Sequence, residues 1–121
     1  MKERKWDQGR YGIIGCGMMG QEHMRNIALL PEASVAAFFE PDDGMAAQAS
    51  AIAPAATRVG SLQKLLAVED LDCLLIVSPN FCHVAQMEEL AAIRPLPLLV
   101  EKPLFTDPED ATKLAAFRDN Y

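Results

Sequence analysis

Short apolar runs alternate along this chain with longer segments in which apolar residues recur every three or four positions. An uninterrupted apolar run is typical of a strand covered on both faces, whereas the longer spacing is typical of a helix with one buried side. The sequence predicts strands over residues 11–14, 34–39, 57–59, 73–77 and 96–100. It predicts helices over residues 18–30, 45–52, 62–67 and 81–93, and a last helix that begins at Asp107-Pro108.

The regular alternation of strand and helix predicts βαβ units that share one parallel sheet. Because such crossovers are right-handed, few strand orders are open, and 3-2-1-4-5 is the order expected of a doubly wound sheet. We therefore predict a single three-layer α/β domain over residues 10–121. The charged and polar residues 1–9 are predicted to be a flexible lead-in. Ser61, and either Asp42 or Asp43, are suited to cap the helices that follow them.

The composition narrows the classes of partner. The chain has 121 residues, which corresponds to one domain, and its formal net charge is −6. Nucleic acids and anionic membranes are bound by basic surfaces, so we expect neither as a partner. No stretch approaches the roughly 20 apolar residues of a membrane span. The basic residues near the N-terminus are not followed by the apolar core of a secretory signal, and we expect a cytoplasmic protein.

The three cysteines, Cys16, Cys73 and Cys82, have spacings that fit neither a zinc site nor a Cys-x-x-Cys redox pair. We expect reduced thiols, as is usual in the cytosol, and no metal site.

A glycine-rich turn follows the first predicted strand, in the stretch Gly12-Ile13-Ile14-Gly15-Cys16-Gly17-Met18-Met19-Gly20. Gly15 allows a sharp turn, Gly17 allows the backbone to approach a pyrophosphate, and Gly20 allows the helix to pack closely. The N–H groups of the first helical turn, at Met18, Met19 and Gly20, would face the phosphates. With a strand before it and a helix after it, the motif predicts a Rossmann-type dinucleotide site.

An acidic residue is expected at the end of the next strand, about 20 residues on, and Glu40 stands there. Its carboxylate can accept hydrogen bonds from both hydroxyls of an adenosine ribose. A 2′-phosphate would lie about 4 Å away, at a cost of about 1–4 kcal/mol for effective dielectric constants of about 80 to 20. Pro41, Asp42 and Asp43 follow, with no arginine to pair with the phosphate. We therefore predict NAD as the cofactor and regard NADP as the less favoured alternative.

Two further polar segments follow predicted strands. Ser78-Pro79-Asn80 comes after the fourth strand, and Glu101-Lys102-Pro103 comes after the fifth. The carboxyl ends of parallel strands lie at one edge of a sheet, which is where ligands bind in such folds. The glycine turn, Glu40 and these two segments are therefore expected to form one site.

Together these motifs resemble the N-terminal domain of the Gfo/Idh/MocA family of glucose-fructose oxidoreductases, inositol dehydrogenases and rhizopine catabolism proteins. The resemblance covers roughly residues 10–118. It is carried by the glycine turn with His23, by Phe39-Glu40-Pro41-Asp42, by Ser78-Pro79-Asn80-Phe81-Cys82-His83 and by Glu101-Lys102-Pro103-Leu104. The first two segments fit many dinucleotide-binding proteins, whereas the last two are more specific to this family.

The resemblance implies further cofactor-binding residues, namely Ser78, Pro79, Asn80, His83, Glu101 and Lys102. It places Lys102 where the nicotinamide meets the hydroxyl of a sugar or polyol substrate. An ammonium group there would favour the alkoxide that develops as the hydroxyl loses its proton, so Lys102 is the predicted catalytic residue. His23 is expected to be a packing residue. Whether the Lys102–Pro103 bond is cis stays open from the sequence.

Members of the family carry a second α/β domain that makes most substrate contacts and the usual oligomer interface. The chain stops at Tyr121, so we expect a truncated chain, a fragment or a shortened gene product that binds NAD but turns over substrate poorly. Two functions are open. One is the cofactor domain of an oxidoreductase acting on a sugar, polyol or similar secondary alcohol, in a homo-oligomer. The alternative is a non-catalytic nucleotide-sensing or interaction module, which would have no need of Lys102.

Overall fold

The computed structural model describes residues 6–119. Its strands are β1 (Arg10–Ile14), β2 (Ser34–Phe39), β3 (Thr57–Val59), β4 (Cys73–Ile76) and β5 (Leu98–Val100). Its helices are α1 (Met18–Ala28), α2 (Asp43–Ile52), α3 (Leu62–Leu66), α4 (His83–Ile93) and α5 (Ala111–Arg118). Short 3-10 helices cover Trp6–Gln8, Asn80–Cys82 and Pro108–Asp110. Of the predicted flexible lead-in, residues 1–5 lie outside the described residues.

The five strands form one sheet in the order β3-β2-β1-β4-β5. All four neighbouring pairs are parallel. The predicted doubly wound order is thereby confirmed. The winding reverses between β1, which pairs with β2, and β4, so the carboxyl ends of these strands flank the crevice in which α/β folds bind ligands.

A hydrophobic core lies on each face of the sheet, which completes the predicted three layers. Ile13 packs with Met24 of α1 and Ala49 of α2 on one face. Its neighbour Ile14 packs with the leucines of α3 and α4 on the other face. Both isoleucines are fully buried, and each contributes about 1.5–3 kcal/mol from burial of its side chain. Successive residues of a strand point to opposite faces of the sheet, and both faces are covered here. The central strands are therefore apolar throughout.

The fifth strand is shorter than the predicted 96–100 because of its prolines. Pro95 and Pro97 have no N–H to donate to a ladder. Pro97 contributes only its carbonyl oxygen, which accepts a hydrogen bond from the Leu74 N–H at 2.9 Å. Regular pairing therefore begins at Leu98.

Helices α1 to α4 differ from their predicted bounds by one or two residues: α2 begins at Asp43, before the predicted residue 45, and α3 ends at Leu66, before the predicted residue 67. Helix α1 ends at Ala28, before the predicted residue 30, because the Leu29 and Leu30 N–H groups bond back three residues, to Asn26 and Ile27. The predicted helix 81–93 begins instead as the Asn80–Cys82 3-10 turn and becomes α-helical at His83.

The predicted caps of α2 and α3 are confirmed. The Asp42 carboxylate accepts a hydrogen bond from the Met45 N–H at 2.8 Å, and the Ser61 hydroxyl accepts one from the Lys64 N–H at 3.1 Å. Of the two candidates, Asp42 is therefore the cap of α2, and Asp43 is the first residue of the helix.

Candidate functional site

The turn after β1 requires glycine at its first position. Gly15 has a φ of +93°, and a Cβ placed there would lie 2.5 Å from the backbone nitrogen of Ser78. Only glycine adopts such a conformation without strain, and no side chain fits so close to the neighbouring loop. The Gly15 N–H donates to the Phe39 carbonyl at 2.9 Å, which ties the turn to the end of β2.

The other two glycines of the motif differ in what surrounds them. A Cβ on Gly20 would lie 2.2 Å from the Gly15 carbonyl oxygen, so α1 packs closely on the turn. A Cβ on Gly17 would meet nothing nearer than the Met45 sulfur at 4.0 Å, so no contact within the protein demands glycine there. The open side of Gly17 faces the cleft described below, where a ligand can approach its backbone.

The first hydrogen bond of α1 runs from the Gln21 N–H to the Gly17 carbonyl at 3.0 Å. The N–H groups of Met18, Met19 and Gly20 precede this ladder, as the first-turn donors of any helix do. The Met18 side chain is 85% exposed and that of Met19 48%, so this turn lies at the protein surface. It can therefore present its N–H groups and its positive dipole end to an anion.

Glu40 lies at the floor of the site, with 7% of its surface exposed. One carboxylate oxygen accepts a hydrogen bond from the Cys16 N–H at 2.8 Å, and the other accepts one from the Asp42 N–H at 2.9 Å. Glu40 therefore joins the glycine turn to the loop after β2. Because each carboxylate oxygen has two lone pairs, capacity for ligand hydroxyls is left.

The Cys16 thiol beside this carboxylate is chemically inert. Burial is the main cause that raises its pKa to about 12, and the negative charge of Glu40 raises it further. Since the thiolate is the reactive form, Cys16 packs as a small apolar residue and is not a nucleophile.

A cleft of about 540 Å³ opens above these residues. Five of its lining residues were predicted from the sequence, namely Gly15, Gly17, Glu40, Ser78 and Pro79. Met45, Cys82 and Gln86 also line it and were not predicted. Cys82 and Gln86 lie four residues apart, which places them on one helical face, and this spacing was the signal available in the sequence. The Ser78 hydroxyl donates to the Gln86 side-chain carbonyl, so the two sides of this wall are joined.

His83 is not among the residues that line the cleft and is buried, with 1% of its surface exposed. Its Nε2 is 2.8 Å from the Ser78 carbonyl oxygen and its Nδ1 is 2.9 Å from the Pro103 carbonyl oxygen. A neutral imidazole can donate to one of these oxygens, and an imidazolium can donate to both. In either form the ring lies between the two loops that the resemblance singled out.

The loop after β5 carries Glu101 and the exposed Lys102, and the Lys102–Pro103 peptide bond is cis. Glu101 forms a 2.7 Å hydrogen bond with Nε2 of His23 on α1. That hydrogen bond is the main cause that lowers the pKa of Glu101 below its ordinary value. A packing role is all that the sequence predicts for His23, and its hydrogen bond with Glu101, 78 residues away, is a contact that no local signal indicates.

The predicted site residues thus fall into three groups around one sheet edge. Gly15, Gly17, Glu40, Ser78 and Pro79 line the cleft, and Gly20, Met18 and Met19 form the helical turn beside it. The exposed Asn80 begins the 3-10 turn after β4, His83 begins α4, and Glu101 and Lys102 lie in the loop after β5; none of these four is among the lining residues. Within residues 6–119, no group of three His, Cys, Asp or Glu side chains is placed to hold a metal ion.

This arrangement fits a dinucleotide. The volume of the cleft lies in the range of about 300–1,000 Å³ that is usual for small-molecule sites. Gly17 leaves room for a pyrophosphate at the start of α1, and the Glu40 carboxylate lies in the same cleft at the end of β2. The fold and the site therefore define a Rossmann-type dinucleotide-binding domain.

The family follows from comparison with known proteins. Residues 9–120 match the sequence profile of the Gfo/Idh/MocA family, which is described as an oxidoreductase family with an NAD-binding Rossmann fold. The match covers nearly all of the chain, which belongs to this family. The resemblance of the sequence motifs and the predicted fold are thereby confirmed.

Individual relatives agree with this assignment. The chain is 37% identical over 107 residues to inositol 2-dehydrogenase of Leifsonia xyli subsp. xyli, an alignment that covers 87% of this chain and 31% of that protein. Among solved structures it is similar to myo-inositol dehydrogenase from Lactobacillus casei, in complex with NAD(H) and myo-inositol, with a TM-score of 0.81 and 26% identity over 93% of this chain and 34% of that one.

A second solved structure is the WlbA dehydrogenase from Bordetella pertussis, in complex with NADH and UDP-GlcNAcA, with a TM-score of 0.82 and 27% identity. That similarity covers 98% of this chain and 34% of the other. The chain therefore spans about a third of the length of the relatives it matches.

Proposed function

We propose that this chain is the cofactor-binding part of an oxidoreductase that acts on a secondary alcohol of a sugar or polyol, or on the corresponding ketone. Membership of an oxidoreductase family and the names of the similar proteins, which include inositol dehydrogenases, support the reaction class. The observation that carries the proposal is structural. His83 contacts the backbone of both Ser78 in the cleft wall and Pro103 in the Lys102 loop, so the loop with the candidate catalytic group lies beside the cleft.

Each part of the site has a role in this proposal. The N–H groups at Met18, Met19 and Gly20 would hold the pyrophosphate, with Gly17 leaving the space for it. The Glu40 carboxylate would accept hydrogen bonds from the ribose hydroxyls. NAD, when bound, supplies the acceptor or donor of a hydride.

Lys102 is the residue we assign to the substrate hydroxyl. It is exposed at the carboxyl end of β5, where a substrate can reach it. Its ammonium group would stabilise the developing alkoxide and thereby ease transfer of a hydride from the carbinol carbon to NAD. The family resemblance further assigns Asn80 and Glu101 to the same end of the cofactor.

The preference for NAD over NADP rests on charge. Glu40 lines the cleft, and the Asp42 side chain is a second carboxylate in its wall. Both carboxylates oppose a 2′-phosphate. The NADH and NAD(H) complexes of the similar dehydrogenases agree with this preference.

The proposal also covers the location of the protein in the cell and its partners. We place the protein in the cytoplasm, since Cys16, Cys73 and Cys82, which all lie within residues 6–119, form no disulfide. No helix within residues 6–119 is long and apolar enough to cross a membrane. The net charge of −6 argues against nucleic acid and anionic membrane surfaces as partners, and we infer a homo-oligomer from the family.

The test is NAD-dependent oxidation of myo-inositol and of UDP-sugars by the whole native reading frame that contains this chain. Replacement of Lys102 with methionine should lower kcat by about 100-fold or more while the Kd for NAD changes by less than about twofold. Equal loss of NAD binding would show that Lys102 only supports the fold or the cofactor. Undiminished turnover by K102M would remove Lys102 from the chemistry, whereas NAD binding without turnover by the wild type would favour the sensing alternative.

A further inference from the structure

A second cavity, of about 520 Å³, lies on the β3 side of Glu40. It is lined by Phe39, Glu40, Pro41, Arg58, Val59 and Gly60. The first three of these residues also line the cleft, so the two cavities meet along the segment that carries the ribose carboxylate. Any group attached to the ribose at its 2′ position would lie close to this boundary.

Arg58 is the cation in the wall of the second cavity. Its Nε and Nη2 donate to the Glu40 carbonyl oxygen at 3.2 and 2.9 Å, and Nη2 also reaches the Pro41 carbonyl oxygen at 3.4 Å. The guanidinium group is thus fixed against the backbone of the residue whose side chain would bind the ribose. A planar guanidinium is the group that most often pairs with a phosphate at this end of a dinucleotide site.

Residues 41 to 43, which follow Glu40 directly, contain no such arginine. Arg58 stands 18 residues after Glu40 and arrives by strand pairing, since it lies opposite Phe38 in the β2–β3 ladder. The fold therefore contains the phosphate-pairing residue type that the sequence motif lacks.

Asp43 forms an ion pair with this arginine. Its Oδ1 is 3.0 Å from Arg58 Nη2, and its side chain is 93% exposed. An ion pair so open to solvent contributes little to stability, so its loss should leave the fold intact. The ion pair should affect a bound 2′-phosphate more than it affects stability, because the Asp43 carboxylate both offsets the charge of Arg58 and holds the guanidinium toward α2.

We propose that Asp43 and Arg58 together determine cofactor specificity, an inference that rests on the proposed function. Glu40 provides the repulsion toward a 2′-phosphate, and Asp43 withholds the positive charge that would compensate for it. The site therefore contains a latent 2′-phosphate ligand, Arg58, that the loss of one carboxylate makes available.

The test is calorimetric titration of NAD and NADP into the wild-type chain and four variants, D43N, R58Q, D43N/R58Q and E69Q. Glu69 is exposed in the loop before β4, at the opposite end of the sheet, so E69Q removes one negative charge without touching this corner. D43N should bind NADP about tenfold more tightly than the wild type, with NAD affinity changed by less than about twofold. The gain should disappear in D43N/R58Q and be absent in E69Q.

Three outcomes are informative. NAD binding with unchanged NADP affinity in D43N would overturn this inference and leave the proposed function standing. A gain in NADP affinity that persists in D43N/R58Q would show that the loss of repulsion by the Asp43 carboxylate is alone responsible, and would exclude Arg58 as a ligand of the 2′-phosphate. Absence of NAD binding by the wild type would overturn the proposed function and this inference with it. If R58Q is unfolded at the titration temperature, D43N/R58K takes the place of D43N/R58Q. Only part of the gain in NADP affinity should then remain, because lysine lacks the planar fork.

Discussion

Replacing Glu40 with glutamine keeps the shape of the side chain and removes one acceptor atom from the floor of the cleft. In the wild type both carboxylate oxygens accept backbone hydrogen bonds, from Cys16 at 2.8 Å and from Asp42 at 2.9 Å. Glutamine offers one carbonyl oxygen, and its amide group would face the other N–H donor to donor. One N–H, either the buried one of Cys16 or the partly buried one of Asp42, then lacks an acceptor, at a cost of about 1–3 kcal/mol.

A domain of this size loses about 4 °C of melting temperature per kcal/mol, so E40Q should melt about 4–12 °C below the wild type. Thermal unfolding followed by circular dichroism at neutral pH measures this shift, with E69Q as the control at an exposed position. A melting temperature for E40Q within about 1 °C of the wild type would refute the bracing role of Glu40. The smaller variant E40S should also weaken NAD binding and narrow the gap between NAD and NADP by about 1–4 kcal/mol.

Further predictions concern the glycine turn and the loop after β5. G15A should lose about 2–4 kcal/mol of stability in chemical denaturation, because of its positive φ and its contact with the loop after β4. G17A should stay within about 1 kcal/mol of wild-type stability, since open space surrounds it, yet bind NAD at least about tenfold more weakly. Carbon-13 NMR titration of the Glu101 carboxyl should show its pKa rising toward the ordinary value in H23A, since the hydrogen bond with His23 is the main cause of the lowering. N26A, at an exposed position on the same helix, should leave that pKa unchanged, and an unchanged pKa in H23A would contradict the pairing.

The elements of the fold were readable from the sequence wherever one physical cause dominated. Strands 34–39 and 57–59 match the structure residue for residue, because 34–39 is an apolar run after its first residue and 57–59 contains two β-branched residues and is followed by Gly60. The errors fall at the ends of elements. Pro97 shortened β5 by removing a donor, and the first turn after Pro79 became a 3-10 helix.

The candidate site was readable only where a motif fixes the backbone. Gly15 and Gly20 have the roles that their spacing predicts, and the position of Glu40 at a strand end brought it to the same cleft. The hydrogen bond of His23 with Glu101 and the approach of Arg58 to Glu40 depend on which distant strands and helices become neighbours. Such pairings follow from tertiary structure and have no local sequence signal.

The central claim is that the cleft at the carboxyl ends of β1, β2 and β4 holds a nicotinamide dinucleotide. The most direct measurement is a titration of NAD into the nitrogen-15-labelled chain, followed by amide NMR shifts. We expect saturable shifts centred on the amides of Gly15, Gly17, Ser78 and Gln86, and smaller or no shifts at Glu69. Absence of shifts at millimolar NAD, or shifts confined to residues outside the cleft, would contradict this claim.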